Sequence, residues 1–291
     1  MRIADLPWYD LPELEAATDA WWRGIAWHLR RLGVERVPEA LCRAGSHVER
    51  WQHRDLLLSQ ACGYDVLYDA AGWIVPVATP CYGAPGCRGP RYSSAVVVRR
   101  GEGVQGIGDL RGTRVVVNEA SSHSGTNALR PLVAPFSRAG SFFASVEITG
   151  SHTDSLRAVQ EGTADTACID AVVMGLLQRV RPRALAGLRV LATTDHALAP
   201  PYVTSVHTDL PTRRALRQAL QSAMRDPRLS SCRRALLLDG LAVPREGAYG
   251  ELAAFEAPAL RAGYHELPAP VASPLHRRRA GPRTTGRGSG A

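Results

Sequence analysis

The sequence predicts an α/β protein built as two lobes, with mainly parallel sheets and a ligand cleft between the lobes. Three observations carry that expectation. Short apolar runs of strand length alternate with stretches of helical period. Residues 95–199 form one compact, inserted set of such units, whereas 1–94 and 200–265 read as two pieces of another, discontinuous lobe. The 291 residues suit one large domain or two moderate ones, and 45% apolar content is enough to build a core. A lobe inserted into a lobe makes two chain crossings, near 93–98 and 197–206. Paired crossings of this kind act as hinges around a small-molecule cleft.

Taken in order, Arg2 to Leu6 reads as a short strand running into Pro7-Trp8-Tyr9-Asp10, which places Tyr9 at the strand end. From Glu13 to Leu32, the positions Leu14, Ala17, Trp21, Ile25 and Leu29 give a helical stripe that Gly33 stops. Trp21, Trp22 and Trp27 read as packing residues. Asp55 to Ser59 is a continuous apolar run, expected as a buried parallel strand that delivers Gln60 to Tyr64 into a loop. Further strands are expected at 74–78, 95–99, 114–118, 145–149, 166–169 and 189–192. Helices are expected near 126–138, 154–162, 171–180 and 211–225. Residues 266–291 read as a basic, Gly/Pro/Ser-rich disordered tail.

Composition removes whole classes of chemistry. Every cation is arginine, so a Walker-type P-loop, a Schiff-base enzyme and a pyridoxal-phosphate enzyme, each of which needs a lysine amine, are excluded. The formal charge is +8, but five of the arginines stand in the acid-free stretch 273–291, leaving about +3 on the body. No nucleic-acid partner is expected. No run approaches the roughly 18–20 apolar residues of a membrane helix, and Asp5, Asp10, Glu13, Glu15 and Asp19 occupy the stretch where a secretory core would lie. The six cysteines include no CxxC pair, and the nine histidines show no metal-binding spacing, so neither a metal nor a cofactor is expected. Cys81 and Cys87 bracket a tight turn and read equally as a disulfide or as two reduced thiols.

Three turns carry the candidate chemistry. In the first, the strand Val115-Val116-Val117 leads through Ser121-Ser122-His123-Ser124-Gly125 into a helix, so that two hydroxyls and first-turn amides converge as an anion site would require. Serine is also a common helix cap, and both readings stand. In the second, His152 follows a strand and precedes a helix, at what should be the same sheet edge. In the third, Asp170 ends a strand, either to cap the next helix or to receive a ligand ammonium or hydroxyl.

Together with Leu6-Pro7-Trp8-Tyr9-Asp10, Ser59-Gln60-Ala61-Cys62-Gly63-Tyr64, Tyr92-Ser93-Ser94 and Asp109-Leu110-Arg111-Gly112, these turns occur in an order that resembles a known family. Over roughly 2–265, the chain is similar to the phosphate/phosphite/phosphonate substrate-binding proteins of ABC transporters, the PhnD-like branch of the type II periplasmic-binding fold. The resemblance implies a non-catalytic, monomeric receptor that closes on a small phosphorus oxyanion and presents it to a permease. It also implies that Ser122, His123 and Ser124 hold the oxyanion, with His123 standing where the family has threonine. His152 would contact the ligand, Tyr9, Gln60 and Tyr64 would come from the opposite lobe, Tyr92 would sit at the hinge, and Asp170 would meet an amine or hydroxyl. The family implies a periplasmic or cell-envelope location, whereas the chain as written, without an export signal, implies a cytoplasmic one. The latter keeps two alternatives on the same scaffold. One is an enzyme resembling pyrimidine-precursor synthases or chorismate-dehydratase-like proteins, with His123 or His152 and Asp170 as acid and base. The other is a ligand sensor.

Overall fold

The computed structural model describes residues 2–264 and Leu267. Strand β1 (Ile3–Ala4) leads to helix α1 (Glu15–Arg31), whose Trp21, Trp22, Ile25, Ala26 and Leu29 recur every three to four residues and are buried. Helix α2 (His47–Trp51) precedes the fully buried β2 (Leu56–Gln60), followed by α3 (Gly63–Leu67) and β3 (Ile74–Tyr82). Two short strands, β4 (Cys87–Arg88) and β5 (Arg91–Tyr92), form a hairpin before β6 (Ser94–Arg99) enters the second sheet. There follow β7 (Arg114–Val117), α4 (Arg130–Val133), β8 (Ser145–Ile148), α5 (His152–Gln160), β9 (Thr166–Asp170), α6 (Ala171–Val180) and β10 (Leu188–Thr193). The chain returns through β11 (Ala197–Leu198) and β12 (Tyr202–Ser205), and ends with α7 (Leu210–Arg225), α8 (Ser230–Ala235), β13 (Leu238–Ala242) and α9 (Glu256–Arg261). Among the described residues, no helix is long and apolar enough to cross a membrane.

Two five-stranded sheets organise the molecule, in the orders β1-β2-β12-β3-β13 and β10-β6-β9-β7-β8. The α/β two-lobe class is as expected, but the sheets are mixed rather than mainly parallel. β7 pairs in parallel with β8 and β9, and β1 with β2, whereas β6 and β12 run antiparallel to both of their neighbours. The reason is mechanical. β2, β7, β8 and β9 deliver their carboxyl ends to the cleft, but β6 and β12 carry the chain from one sheet to the other and so start at the cleft. Ser94 therefore lies opposite Asp170, and Tyr202 opposite Gln60.

Local differences from the expected elements also have causes. The helix expected over 126–138 breaks into a π-turn at His123–Asn127, the short α4, and a 3-10 turn at Ala134–Phe136. Pro131 and Pro135 each lack the N–H that would bond the carbonyl four residues back, so each is confined to the first turn of a new piece and the run is cut ahead of it. Tyr9 is not at a strand end. It sits in a turn with φ of 63°, a left-handed backbone that a bulky residue holds only when its surroundings enforce it. The segment 200–265, expected in the first lobe, crosses back at its end, where Ala259, Tyr264 and Leu267 pack in a core with Phe142, Phe143, Val115 and Leu129. Of the expected tail, 266–291, Leu267 is described and packs in this core, and the rest lies outside the described residues. All six cysteines, Cys81 and Cys87 included, are free thiols.

Candidate functional site

The turns that follow β7, β8 and β9 meet the segment after β1 in a cleft of about 280 Å³. One wall carries Ser122, Ser124, His152 and Asp170, and the facing wall carries Trp8 and Tyr9. The serine turn is held locally: the Ser122 hydroxyl accepts the Gly125 amide at 3.1 Å and lies 3.3 Å from the Ser124 hydroxyl. Gly125 is required here, because a Cβ at this position would lie 1.9 Å from Asn118 Oδ1. The Ser124 hydroxyl is 2.9 Å from His152 Nε2, so that two hydroxyls and an imidazole converge. The other ring nitrogen, Nδ1, is buried with no partner. Burial holds the His152 imidazolium down, with its pKa lowered to about 4, and the ring is neutral near pH 7.

Sequence reading expected free first-turn amides as part of this site, and the structure uses them differently. The His123 amide points at Cys62 Sγ, 3.5 Å away, and the Gly125 amide is already taken by Ser122. Those two amides are therefore not available to a ligand, and the side chains of Ser122, Ser124 and His152 carry the polar atoms that line this wall.

Asp170 is the N-cap of α6: its Oδ1 accepts the amides of Val172 and Val173. Its Oδ2 accepts the Tyr9 hydroxyl at 2.8 Å, across the cleft from the first lobe. Burial pushes its carboxyl up to about 6, against the stabilising pull of the Tyr9 hydrogen bond. Burial, followed by the Asp170 charge, raises the Tyr9 phenol well above its ordinary range, so Tyr9 remains a donor.

The other expected residues have structural surroundings and do not line this cleft. Gln60 is 3% exposed and donates to Tyr82 Oη at 3.0 Å and to the Pro200 carbonyl at 2.9 Å, tying β2 to the return crossing. Tyr64 donates to Glu256 Oε1 at 2.7 Å. Tyr92 is buried beside Ser124, with its ring centroid 6.1 Å from that of His123. His123 is 2% exposed, edge-on to Phe255 at 4.8 Å, with Nδ1 3.2 Å from Asn127 Nδ2. Of the acid/base candidates, His152 and Asp170 line the cleft and His123 does not, and no hydrogen bond joins the three among the described residues. Sequence reading missed Trp8, His47, Asp65, Asn118 and Glu119, all of which line the cleft. Trp8 and Asp65 each adjoin a residue it singled out, which was the available signal.

Residues 50–247 match the family described as the periplasmic phosphonate substrate-binding protein of ABC transporters, and the chain belongs to that family. No curated protein matches it in sequence. Among solved structures, it is similar to a binding protein component of an ABC phosphonate transporter from Pseudomonas aeruginosa. The two share 13% identity over 90% of this chain and 87% of the other, with a TM-score of 0.71. It is also similar to PhnD1 from Prochlorococcus marinus in complex with methylphosphonate, at 12% identity over 88% and 97% of the two chains and a TM-score of 0.69. A Xanthomonas citri protein bound to ATP matches at 15% identity over 91% and 98%, with a TM-score of 0.67.

Proposed function

We propose that the cleft captures a small phosphorus oxyanion of the phosphonate, phosphate or phosphite type and that the protein presents it to an ABC permease. The observation that carries this reading is the convergence of Ser122, Ser124 and His152 on one cleft wall, with the Ser124 hydroxyl 3.3 Å from that of Ser122 and 2.9 Å from His152 Nε2. Hydroxyls and a neutral imidazole are dipolar donors, and hydrogen bonds to a charged acceptor are worth about 1.5–3 kcal/mol each. Such a set holds an anion firmly while leaving release possible, as a delivery protein requires.

The cleft also contains carboxyl groups, which a dianion would avoid if they were ionised. Burial pushes Asp170 up to about 6, and burial together with Glu119 and Asp69 pushes Asp65 up to about 7. At pH 7 Asp65 is therefore about half protonated, which lessens its repulsion of an oxyanion, and the charge on Asp170 is turned to the Tyr9 hydroxyl and the α6 amides. In this reading Tyr92 fixes the Ser124 rotamer from below. Gln60 and Tyr64 act on the hinge and the interlobe contact, His123 is a core residue, and Asp170 is the cross-cleft partner of Tyr9.

Thermal unfolding of the full chain against methylphosphonate, phosphate, phosphite, sulfate and small carboxylates tests the proposal. A ligand present at 100 times its Kd adds about 2.7 kcal/mol to the folded state, a shift of several degrees. A selective rise with a phosphorus oxyanion is expected. A rise with a carboxylate and none with any phosphorus compound overturns the reading.

A further inference from the structure

The helices on the outer side of the first lobe carry charge of one sign. α1 packs against α7 and α8. Trp21, Trp22, Ile25 and Leu29 of α1 share one buried core with Leu216, Ala219, Leu220 and Ala223 of α7, so the opposite stripes of both helices face solvent. On α1 that stripe is Arg23, Trp27, Arg30 and Arg31, all exposed. The acids of α1 stand at its start, where Glu15 and Asp19 are taken by Arg43. α7 contains four arginines and α8 two, and neither helix contains Asp or Glu. The ion pairs of this face among the described residues join Arg30 to Glu39, and Asp226 to Arg228 and His28. Arg23, Arg31, Arg214, Arg225 and Arg234 are exposed and form none. Like charges held side by side repel, and an anionic surface removes that cost.

Apolar groups are interleaved with the charge. Trp27 and Leu32 are each 38% exposed, and the guanidinium carbons of Arg31 and Arg228 lie 4.8 and 4.3 Å from the centroid of the Trp27 ring. An indole left wet among guanidinium groups suits a bilayer boundary, where aromatic rings sit at headgroup level and arginine meets phosphate. A nucleic-acid duplex is instead read by polar contacts from an element that enters a groove, and two helix flanks lying side by side offer none. We infer that the α1/α7/α8 face is a docking surface for a bilayer containing anionic phospholipid, with Trp27 and Leu32 at the headgroup boundary and the unpaired arginines against lipid phosphates. None of these residues lines the cleft, so the inference goes beyond the oxyanion reading and does not rest on it.

Co-sedimentation of the full chain with vesicles tests the inference. The probes are vesicles of phosphatidylcholine alone, vesicles with about one quarter phosphatidylglycerol, and a DNA duplex of about 20 base pairs read by gel shift. Binding to the anionic vesicles alone is expected. Each arginine at an anionic surface adds about a factor of five in affinity, so Arg23→Gln/Arg31→Gln/Arg214→Gln/Arg225→Gln is expected to weaken binding by at least about 100-fold. The control Arg88→Gln/Arg100→Gln/Arg138→Gln/Arg183→Gln removes the same charge from exposed positions in four separate segments, and a change below about fivefold is expected. Dibrominated phosphatidylcholine in the anionic vesicles is expected to quench a part of the tryptophan fluorescence that Trp27→Phe removes. No binding to anionic vesicles, or binding to the duplex alone, overturns the bilayer assignment. Equal losses in the two quadruple variants, or binding that survives in the first, overturn the assignment to this face and move it to net charge or to the arginine run at 277–279. Quenching that is the same with and without Trp27 overturns the orientation. The thermal shift with methylphosphonate is read without vesicles, so failure here leaves the oxyanion reading standing.

Discussion

His123 and His152 stand in two turns of the same form, each following a strand of one sheet and each preceded by a serine. His123 is buried and His152 half-buried, and both are held to a pKa of about 4 by desolvation. Their roles nevertheless diverge. His123 lies between Phe255 and Tyr92 with its Nδ1 at Asn127, so its hydrogen bonding is spent on the fold. His152 lines the cleft, touches Ser124, and keeps one ring nitrogen unpartnered. A desolvated imidazole is thus no sign of a binding site in itself. What separates the two is whether the polar atoms face protein or cavity.

The sharpest way to break this comparison is to remove the hydroxyls on which the His152 turn depends. Ser122→Ala/Ser124→Ala is expected to weaken phosphorus-oxyanion binding by at least about 100-fold, from two charged-acceptor hydrogen bonds, while the lost Ser122 cap lowers the stability of the free protein by only about 0.5–2 kcal/mol. Titration calorimetry that returns an unchanged affinity would falsify the role of the turn.

Next in size is His123→Ala. It leaves a cavity against Phe255 and removes one partner of Asn127, whose Nδ2 also donates to the Leu252 carbonyl, and a cost of about 2–3 kcal/mol in urea unfolding is expected, with ligand affinity altered less than about threefold. His152→Ala should do the reverse, lowering affinity about tenfold with a stability change below about 1 kcal/mol. If the two variants behave alike, the distinction between fold histidine and cleft histidine is wrong.

Tyr9→Phe extends the comparison to the facing wall. It removes the hydroxyl that satisfies buried Asp170, and a loss of about 1–3 kcal/mol is expected together with a further rise of the Asp170 pKa, read from its carboxyl carbon resonance. An unmoved resonance would show that the cross-cleft bond does not form in solution.

The smallest effect is on pH. A bound anion raises the His152 pKa from about 4, so affinity should grow as pH falls through the pKa of the complex and level off below about 4. His152→Ala should flatten that profile, and His123→Ala should leave it. Stability of the free protein moves the other way. For each histidine the folded pKa of about 4 lies below the unfolded value near 6.5, so between these limits the unfolded chain binds more protons and stability is lost on acidification. Asp170, raised to about 6, opposes this in part, because acidification from about 6 towards 3.8 favours its folded form. An affinity profile that is flat in the unaltered protein, measured from pH 4.5 to 8, would sink the His152 assignment.

Much of the architecture was legible in the residues. Strand and helix positions followed from local period: α6 lies where its apolar run predicts, and β7, β8 and β9 deliver the serine turn, His152 and Asp170 to one sheet edge. Asp170 as a helix cap was readable from its place between a buried strand and a helical run, because capping is a local interaction. Absence of lysine and the order of the motifs likewise required no coordinates.

Other features were settled only by the tertiary structure, because they depend on contacts between residues far apart in the chain. Strand direction in β6 and β12 follows from where the chain crosses between sheets, which periodicity does not encode. The return of Ala259, Tyr264 and Leu267 to the second core rests on packing against Phe142 and Phe143, more than 100 residues earlier. Gln60, Tyr92 and His123 have the same side-chain chemistry as cleft residues, and rotation of a few tens of degrees decides whether a polar atom meets protein or cavity. The cleft lining is the extreme case, since Trp8, Asp65 and Glu119 come from three separate segments and share no local pattern. Local physics determined which elements form and which turns they carry, and long-range packing decided which side chains in those turns were left free to bind.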